Sequence, residues 1–412
     1  MRRPGRRWRR ACAVALLAMA TACSGGDDGT SGAASDAASE GGTNGGQTAA
    51  RQDTDPAPVP ADEWEVASPE EHGMDPATLE SARDYAFADG MNTQGVVVVH
   101  DGEIVAEWYA EGAGEDSWSA SWSMAKSFTS ALVGIAIEDG LIPGVDEPMT
   151  TWFPEWEGTD RETITLRDVL QMSSGLDWVE NYSPESVAES DIIQMVLFQP
   201  DQLAYASSRP AAKEPGSEWS YSSGDTMLLS GVLEQVTGMP VHEYARQEIF
   251  EPLSVEQVEW WRDARGHTLT YCCLDTTTRD FARFGLLYER RGTWGDKQVV
   301  PEAWVEESLE PAPASEGGYG YQWWLAEGEE LPDTFSARGH DGQYIYVVPS
   351  LDLVVVRNGT YVKDPGPPVA DPNLFERYPA SGLVPGRGTT PPEDGWDDTE
   401  FLLPIVESFD AA

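Results

Sequence analysis

The sequence is short of positive charge. Its 412 residues include 26 lysines and arginines against 71 aspartates and glutamates, so the formal net charge at pH 7 is −45. Such a surface repels nucleic acid and anionic lipid headgroups, which excludes partners that need a basic patch. Hydrophobic residues still make up 40% of the chain, enough to build a sizeable core. The composition therefore predicts a globular protein that does not bind polyanions.

Cysteine and histidine are also scarce. Of four cysteines, Cys12 and Cys23 lie near the N-terminus and the adjacent pair Cys272 and Cys273 lies far along the chain. One adjacent pair cannot build a disulfide framework or a cysteine metal site, and we expect two packed thiols or a vicinal bridge. The five histidines show no ligand spacing such as H-E-x-x-H. The sequence predicts no metal and no other cofactor.

The N-terminal apolar run is too short to span a bilayer and is typical of a secretory signal. Six arginines precede the run from Ala11 to Ala22. Cys23 follows small residues and precedes a Gly-, Ser- and Ala-rich stretch, as in a bacterial lipoprotein signal. We expect a signal peptide over 1–22, a lipid on Cys23 and a flexible tether over 23–60, with the protein on the outer face of the cell membrane. Ordinary cleavage of the signal and release of the protein is the alternative, because Ala20 replaces the leucine that usually stands three residues before the lipidated cysteine.

Hydrophobic patterning predicts strands at both ends of a domain and helices between them. Apolar runs at 95–99 and 104–109 flank an Asp-Gly turn and predict a hairpin. A second hairpin is predicted from 343–348 and 353–356, and the segment 143–265 is expected to be a mostly helical subdomain. We therefore predict an α/β protein with an antiparallel sheet flanked by helices.

Helical periodicity with start and stop signals indicates the intervening elements. One domain is expected over 61–365, with a Pro- and Gly-rich segment and a closing helix in 366–412 packed on it. The predicted helices cover 75–88, 124–139, 166–172, 225–236, 279–288 and 400–409.

Ser123 and Lys126 form an S-x-x-K at the start of a predicted helix. One helical turn places a hydroxyl and an amine on the same face, within mutual reach. A serine is a weak nucleophile until a base takes its proton, and a desolvated lysine can be that base. Lysine occurs at four positions in the chain, and only Lys126 follows a serine by three residues. This pair is the candidate catalytic centre.

Two later motifs carry further candidates. Tyr221 and Ser223 lie in a loop that opens a predicted helix, where a tyrosine can relay a proton. The glycine-rich stretch around Gly339 and His340 runs into a late strand, and an exposed strand N–H is the kind of donor that an oxyanion hole needs.

The order and spacing of these motifs resemble the class C β-lactamase superfamily. That superfamily also contains D-alanyl-D-alanine peptidases, family VIII esterases and 6-aminohexanoate-oligomer hydrolases. Segments 164–176 and 278–285 are similar to two further family motifs, so the resemblance covers roughly 69–356. It implies the β-lactamase/transpeptidase-like fold.

The resemblance also implies roles for individual residues. Ser123 would be acylated, and Lys126 and Tyr221 would share the general base and acid work. The N–H groups of Ser123 and His340 would form the oxyanion hole. The family's K-T-G would fall on Ala337-Arg338-Gly339, and the alternative places it on His340-Asp341-Gly342.

Two departures from the family pattern concern substrate choice. The K-T-G position lacks its lysine, for which Arg338 is the candidate substitute, and Ser223 replaces the asparagine of Y-x-N. Tyr182 lies where the 6-aminohexanoate hydrolases place a substrate-facing tyrosine. The residues expected to bind substrate are therefore Tyr182, Ser223, Arg338 and Gly339.

We therefore expect an exported serine hydrolase that cleaves a small ester, amide or peptide through an acyl-enzyme at Ser123. One alternative is a β-lactamase or D-alanyl-D-alanine carboxypeptidase. Another is a penicillin-binding sensor that acylates without turnover, and a surface lipoprotein with a decayed site is a third. The oligomeric state stays open.

Overall fold

The computed structural model describes residues 59–182, 188–326, 331, 333–360 and 396–409. The predicted signal peptide, Cys23 and nearly all of the predicted tether lie outside the described residues, as does the Pro- and Gly-rich segment that precedes the closing helix. Within the described ranges, no helix combines the length and the apolar composition needed to cross a bilayer.

A six-stranded sheet forms the centre of the molecule. Its strands are β1 (Thr93–His100), β2 (Glu103–Tyr109), β8 (Trp324–Leu325), β9 (Phe335–Gly339), β10 (Gln343–Val348) and β11 (Leu353–Gly359). They lie in the order β2-β1-β11-β10-β9-β8, and every neighbouring pair is antiparallel. Both predicted hairpins are present, and β1 and β11 join them into one sheet.

Two smaller sheets and ten α-helices complete the described architecture. The small sheets are β3-β5-β4 and β6-β7, built from β3 (Trp118–Ala120), β4 (Glu259–Trp260), β5 (Leu274–Thr277), β6 (Thr293–Trp294) and β7 (Lys297–Gln298). The helices are α1 (Pro76–Ala86), α2 (Ala125–Glu138), α3 (Leu166–Leu170), α4 (Asp191–Phe198), α5 (Gln202–Ser207), α6 (Ser223–Thr237), α7 (Val241–Ala245), α8 (Thr278–Glu289), α9 (Glu302–Ser308) and α10 (Asp398–Glu407).

The central sheet is covered on both faces, which explains the unbroken run of valines in β1. Successive side chains of a strand point to opposite faces. Val97 and Val99 pack in a large core with α2 and α8, whereas Val96 and Val98 pack in a second core with α1 and α10. A strand buried on both faces is apolar throughout instead of alternating. The α/β class with helices flanking an antiparallel sheet is confirmed.

Helix α2 carries the S-x-x-K and is buried along nearly its whole length. A helix that is apolar on all sides is expected in a protein interior. Gly134 lets it approach α9, because a Cβ there would lie 2.2 Å from the Trp304 ring. Helix α8 lies against the same face of the sheet, where a Cβ on Gly285 would lie 2.5 Å from Val354. This packing holds α2 rigidly beneath the site.

Candidate active site

The turn that presents Ser123 is held between the β3-β5-β4 sheet and helix α2. Ser121 donates its N–H to Leu274 O (2.7 Å), and its hydroxyl accepts from the N–H of Leu274 (2.9 Å). Trp122 follows with φ = +43°, a left-handed conformation that is uncommon for a residue with a side chain. Backbone strain of this kind persists where the surrounding structure imposes it, and it is concentrated at functional sites.

Lys126 is buried, and three oxygens surround its amine. Its Nζ lies 3.1 Å from Ser123 Oγ, 3.1 Å from Ser223 Oγ and 2.9 Å from Tyr271 O. Burial lowers the pKa of Lys126 to about 8, an effect that the charge of Glu180 opposes. A substantial fraction of the amine is therefore neutral near physiological pH and able to accept a proton.

Tyr221 lies over the same amine, with its ring centroid 4.9 Å from Lys126 Nζ. Its ring stacks on Trp324 and contacts Tyr319 edge-on. This burial raises the pKa of the Tyr221 phenol far above its ordinary value, although the hydrogen bond with Ser123 lowers it. Tyr221 therefore keeps its proton at neutral pH and can donate or relay one.

The segment at 164–176 positions the Tyr221 loop. Met172 O accepts the N–H of Ser220 (2.8 Å), and Ser174 donates its hydroxyl to Asp225 (2.9 Å). Ser222 caps α6 by accepting from the N–H of Asp225, so the loop and the helix start are fixed together. The two motifs, distant in sequence, are brought into one structure.

Glu180 is a residue that sequence reasoning missed. Its Oε1 accepts from the hydroxyls of Ser223 (2.7 Å) and Tyr182 (2.6 Å), and its Oε2 accepts from Ser223 N–H (3.0 Å) and from Trp178 Nε1. Four donors thus hold the Glu180 carboxylate, which is linked to the Lys126 amine by two successive hydrogen bonds through the Ser223 hydroxyl. No motif marks Glu180, and its position two residues before Tyr182 was the one usable signal.

The side chains of Tyr182 and His340 lie next to each other, beside the turn that contains Ser123. Their ring centroids are 5.5 Å apart, and the His340 ring also contacts Trp122 edge-on at 6.2 Å. The structure therefore brings Tyr182 to the nucleophile turn, next to the residue whose N–H is expected in the oxyanion hole.

Gly339 allows β9 to touch the nucleophile turn. A Cβ at this position would lie 2.2 Å from Ser121 O and 3.1 Å from the Trp122 side chain. Ala337-Arg338-Gly339 forms the end of strand β9, whereas His340–Gly342 forms the tight turn into β10. This placement favours the first of the two K-T-G alignments.

The structure shows where the Arg338 side chain lies, and its role as the cation of the acyl pocket stays a prediction. Arg338 pairs with Tyr344 across the strands, on the face opposite to Ala337, which packs in the same core as α2. Its guanidinium binds Asp398 of α10 (2.9 Å) and the hydroxyl of Ser336 (2.8 Å). It also lies 5.7 Å from the centroid of the Trp324 ring, which stacks on Tyr221. Strand alternation thus places Arg338 beside the closing helix, with the Trp324 ring between it and Tyr221.

The adjacent cysteines form a vicinal disulfide. Cys272 and Cys273 are bonded to each other, and Cys273 has φ = +67°. The bridge lies between Tyr271, whose carbonyl holds Lys126, and Leu274, which holds Ser121. Of the two arrangements expected for this pair, the structure adopts the bridge.

Comparison with known proteins identifies relatives. The family model described as Beta-lactamase matches residues 82–375. The 6-aminohexanoate-dimer hydrolase of Paenarthrobacter ureafaciens is 25% identical over 285 residues, which are 64% of this chain and 72% of that protein. The esterase/beta-lactamase LipL of Mycobacterium tuberculosis is 26% identical over 173 residues, 39% of this chain and 37% of that protein.

A solved structure shows the same fold. The octameric penicillin-binding protein homologue from Pyrococcus abyssi superimposes with a TM-score of 0.56 at 20% identity, over 69% of this chain and 73% of that one. The family match spans the nucleophile turn, the Tyr221 loop and strand β9. The chain therefore belongs to the Beta-lactamase family and is a serine hydrolase.

Proposed function

We propose that the protein is an exported hydrolase that cleaves a small ester or amide through an acyl-enzyme at Ser123. The observation that carries the proposal is the position of the Lys126 amine, 3.1 Å from the Ser123 hydroxyl and held on its other sides by Ser223 and Tyr271. A buried amine in hydrogen-bond contact with a serine is the arrangement that activates a hydroxyl nucleophile.

The acylation step follows from this geometry. Ser123 Oγ attacks the substrate carbonyl carbon while its proton passes to Lys126 Nζ. The N–H groups of Ser123 and His340 stabilise the oxyanion, a role supported by the approach that Gly339 permits. The intermediate collapses, and the leaving alcohol or amine takes the proton, with Tyr221 as the relay.

Deacylation repeats the step with water. Lys126 takes a proton from the water as its oxygen attacks the acyl carbon, and the bond to Ser123 Oγ breaks. The proton returns to Ser123, and the acid product leaves. Lys126 thus serves as the base in both halves of the cycle, while the protonated Tyr221 hydroxyl acts as donor.

The electrostatics favour substrates without a carboxylate next to the reacting bond. The Arg338 charge is bound to Asp398, and Glu180 places a negative charge near the nucleophile. A β-lactam or a D-Ala-D-Ala peptide carries a carboxylate that the family's K-T-G lysine would attract. We therefore place a β-lactamase, a D-alanyl-D-alanine carboxypeptidase or a penicillin-binding sensor second.

Export and a lipid anchor on Cys23 belong to the same proposal. They are supported by the arginine-rich head, the short apolar run and the small residues before Cys23.

A probe and a substrate panel test the catalytic proposal. A fluorophosphonate is expected to label the unaltered protein at the peptide that contains Ser123, and Ser123→Ala is expected to stay unlabelled. Nitrophenyl butyrate is expected to be hydrolysed with a higher kcat/KM than nitrocefin or a D-Ala-D-Ala peptide. Ser130→Ala, on the same buried helix, is the matched control and should keep both labelling and turnover.

Two results would contradict this proposal. A label on Ser173 or Ser222 would show that the nucleophile is a different serine. A kcat/KM for nitrocefin above that for the ester would reverse the order of the two substrate classes.

A further inference from the structure

Glu180 lies outside the Ser123, Lys126 and Tyr221 triad, yet it contacts a residue that touches the lysine. Ser223 Oγ lies 2.7 Å from Glu180 Oε1 on one side and 3.1 Å from Lys126 Nζ on the other. The Ser223 hydroxyl is buried, with 1% of the residue exposed. A serine hydroxyl has one proton, so the direction in which Ser223 donates decides what it offers to the lysine.

The surroundings of Glu180 leave one direction. A carboxylate only accepts hydrogen bonds, so the Ser223 proton goes to Glu180. Ser223 Oγ can then only accept from Lys126, and the carbonyl of Tyr271 can only accept as well. A neutral amine has two hydrogens and one lone pair. With both hydrogens committed to Ser223 and Tyr271, the lone pair faces Ser123 Oγ, the remaining neighbour.

We propose that Glu180 is a positioning residue that, through Ser223, orients the Lys126 amine so that its lone pair faces the Ser123 hydroxyl. This inference rests on the proposed acyl-enzyme mechanism and adds a determinant to it. Glu180 touches no reacting atom and acts by fixing the direction of one hydrogen bond.

Replacing the carboxylate by an amide reverses that direction. Oε2 faces the N–H groups of Ser223 and Trp178, which cannot change from donor to acceptor, so the amide oxygen of Glu180→Gln must take that place. The amide NH₂ then faces the Ser223 hydroxyl and donates to it. The Ser223 proton turns to the lone pair of Lys126 and competes with Ser123 for it.

The charge of Glu180 gives a second readout. Among the described groups that face Lys126, Glu180 is the charged one, and the neighbouring rings of Tyr221 and Tyr271 are neutral phenols. The negative charge raises the pKa of Lys126 against the effect of burial. Glu180→Gln is therefore expected to move the acidic limb of the kcat/KM profile to lower pH while its plateau falls.

Steady-state kinetics with nitrophenyl butyrate test the inference. Glu180→Gln is expected to lower kcat about a hundredfold with little change in KM, the size of effect typical of losing general base catalysis. Ser223→Ala removes an acceptor without supplying a competing donor, so its kcat is expected to fall only about tenfold. Because Glu180 acts through Ser223, the double variant is expected to match Ser223→Ala instead of losing the product of both factors.

Glu107→Gln is the matched control. Glu107 is a partly buried glutamate on β2, at the opposite edge of the sheet, where it accepts from Arg279. The Glu107→Gln variant should keep the kcat and the pH profile of the unaltered protein. If Glu180→Gln fails to fold by circular dichroism, Ser223→Ala carries the test by itself, and a normal kcat in that variant would overturn the inference.

The remaining outcomes are also decisive. A normal kcat in a folded Glu180→Gln, an unmoved pH limb, or losses that multiply in the double variant would overturn the inference. These results are separable from a failure of the proposed function, in which the unaltered protein itself would not be labelled at Ser123.

Discussion

At the scale of single residues, the division of labour between Lys126 and Tyr221 follows from their environments. Both side chains are packed in the same aromatic pocket, yet burial lowers the pKa of the amine and raises the pKa of the phenol. Both shifts favour the neutral form, because desolvation penalises charge. A neutral amine is a base, whereas a neutral phenol is a donor.

The pH dependence of turnover provides a test of this assignment. Lys126 is expected to work as the free amine, which forms as the pH rises through its pKa of about 8. The value of kcat/KM for nitrophenyl butyrate should therefore rise about tenfold per pH unit below this pKa and level off above it. Circular dichroism over the same range is the control for folding. A kcat/KM that is flat between pH 6 and pH 9 would contradict the assignment.

At the scale of elements, much of the fold was predictable from local sequence. Helix α1 begins directly after Asp75, the first residue of the predicted helix, whose side chain caps it, and α6 ends at Gly238, whose φ is +70°. These ends depend on caps and turns that involve a few neighbouring residues. The valine run of β1 likewise marked a strand, because its composition and the Asp-Gly turn that follows are local.

The site was predictable only in part, for reasons of distance and orientation. Ser123 and Lys126 lie one helical turn apart, so their contact followed from spacing. Glu180 reaches Ser223 across a stretch that no periodicity describes, and Tyr271 acts through a backbone carbonyl, which any residue possesses. The contacts of Arg338 could not be predicted either, because the face to which a strand residue points depends on register, which tertiary pairing decides.

Strand β9 contacts the nucleophile turn at Gly339, next to the Ser121 carbonyl. Gly339 has φ = −134°, a conformation that alanine adopts readily, so the substitution does not strain the backbone at this residue. The added Cβ of Gly339→Ala would lie 2.2 Å from Ser121 O and force β9 away from Ser123. We expect kcat to fall about tenfold or more, because the oxyanion donors depend on this separation.

Gly114→Ala is the matched control for that variant. A Cβ at Gly114 meets no atom of the described residues within 4 Å, so both kcat and thermal stability should be unchanged. Equal kcat values for the two variants would mean that the contact between β9 and Ser121 has no part in turnover.

At the scale of the whole molecule, the charge and the proposed anchor bear on where the protein works. A net charge of −45 keeps the chain away from anionic lipid headgroups by repulsion. Attachment to a membrane would then depend on a covalent lipid.

Fractionation of cells tests this dependence. The unaltered protein is expected in the membrane fraction, and Cys23→Ala is expected to leave it. Cys12→Ala, a cysteine replaced within the apolar run, is the matched control and should keep the protein with the membrane. Unlipidated protein in the medium, at the same level with and without Cys23→Ala, would contradict the anchor.

The pairing of β1 with β11 has a consequence for how the chain folds. Val97 of the first strand lies opposite Val356 of the last, at the centre of the sheet. A ribosome has therefore released almost the whole domain before that pair can form, and β1 has no central neighbour until then. Closing so long a loop is slow because its entropic cost precedes any gain from contacts. Synthesis order thus delays completion of the central sheet until the last strands emerge, which is compatible with the proposed export of the chain in an unfolded state.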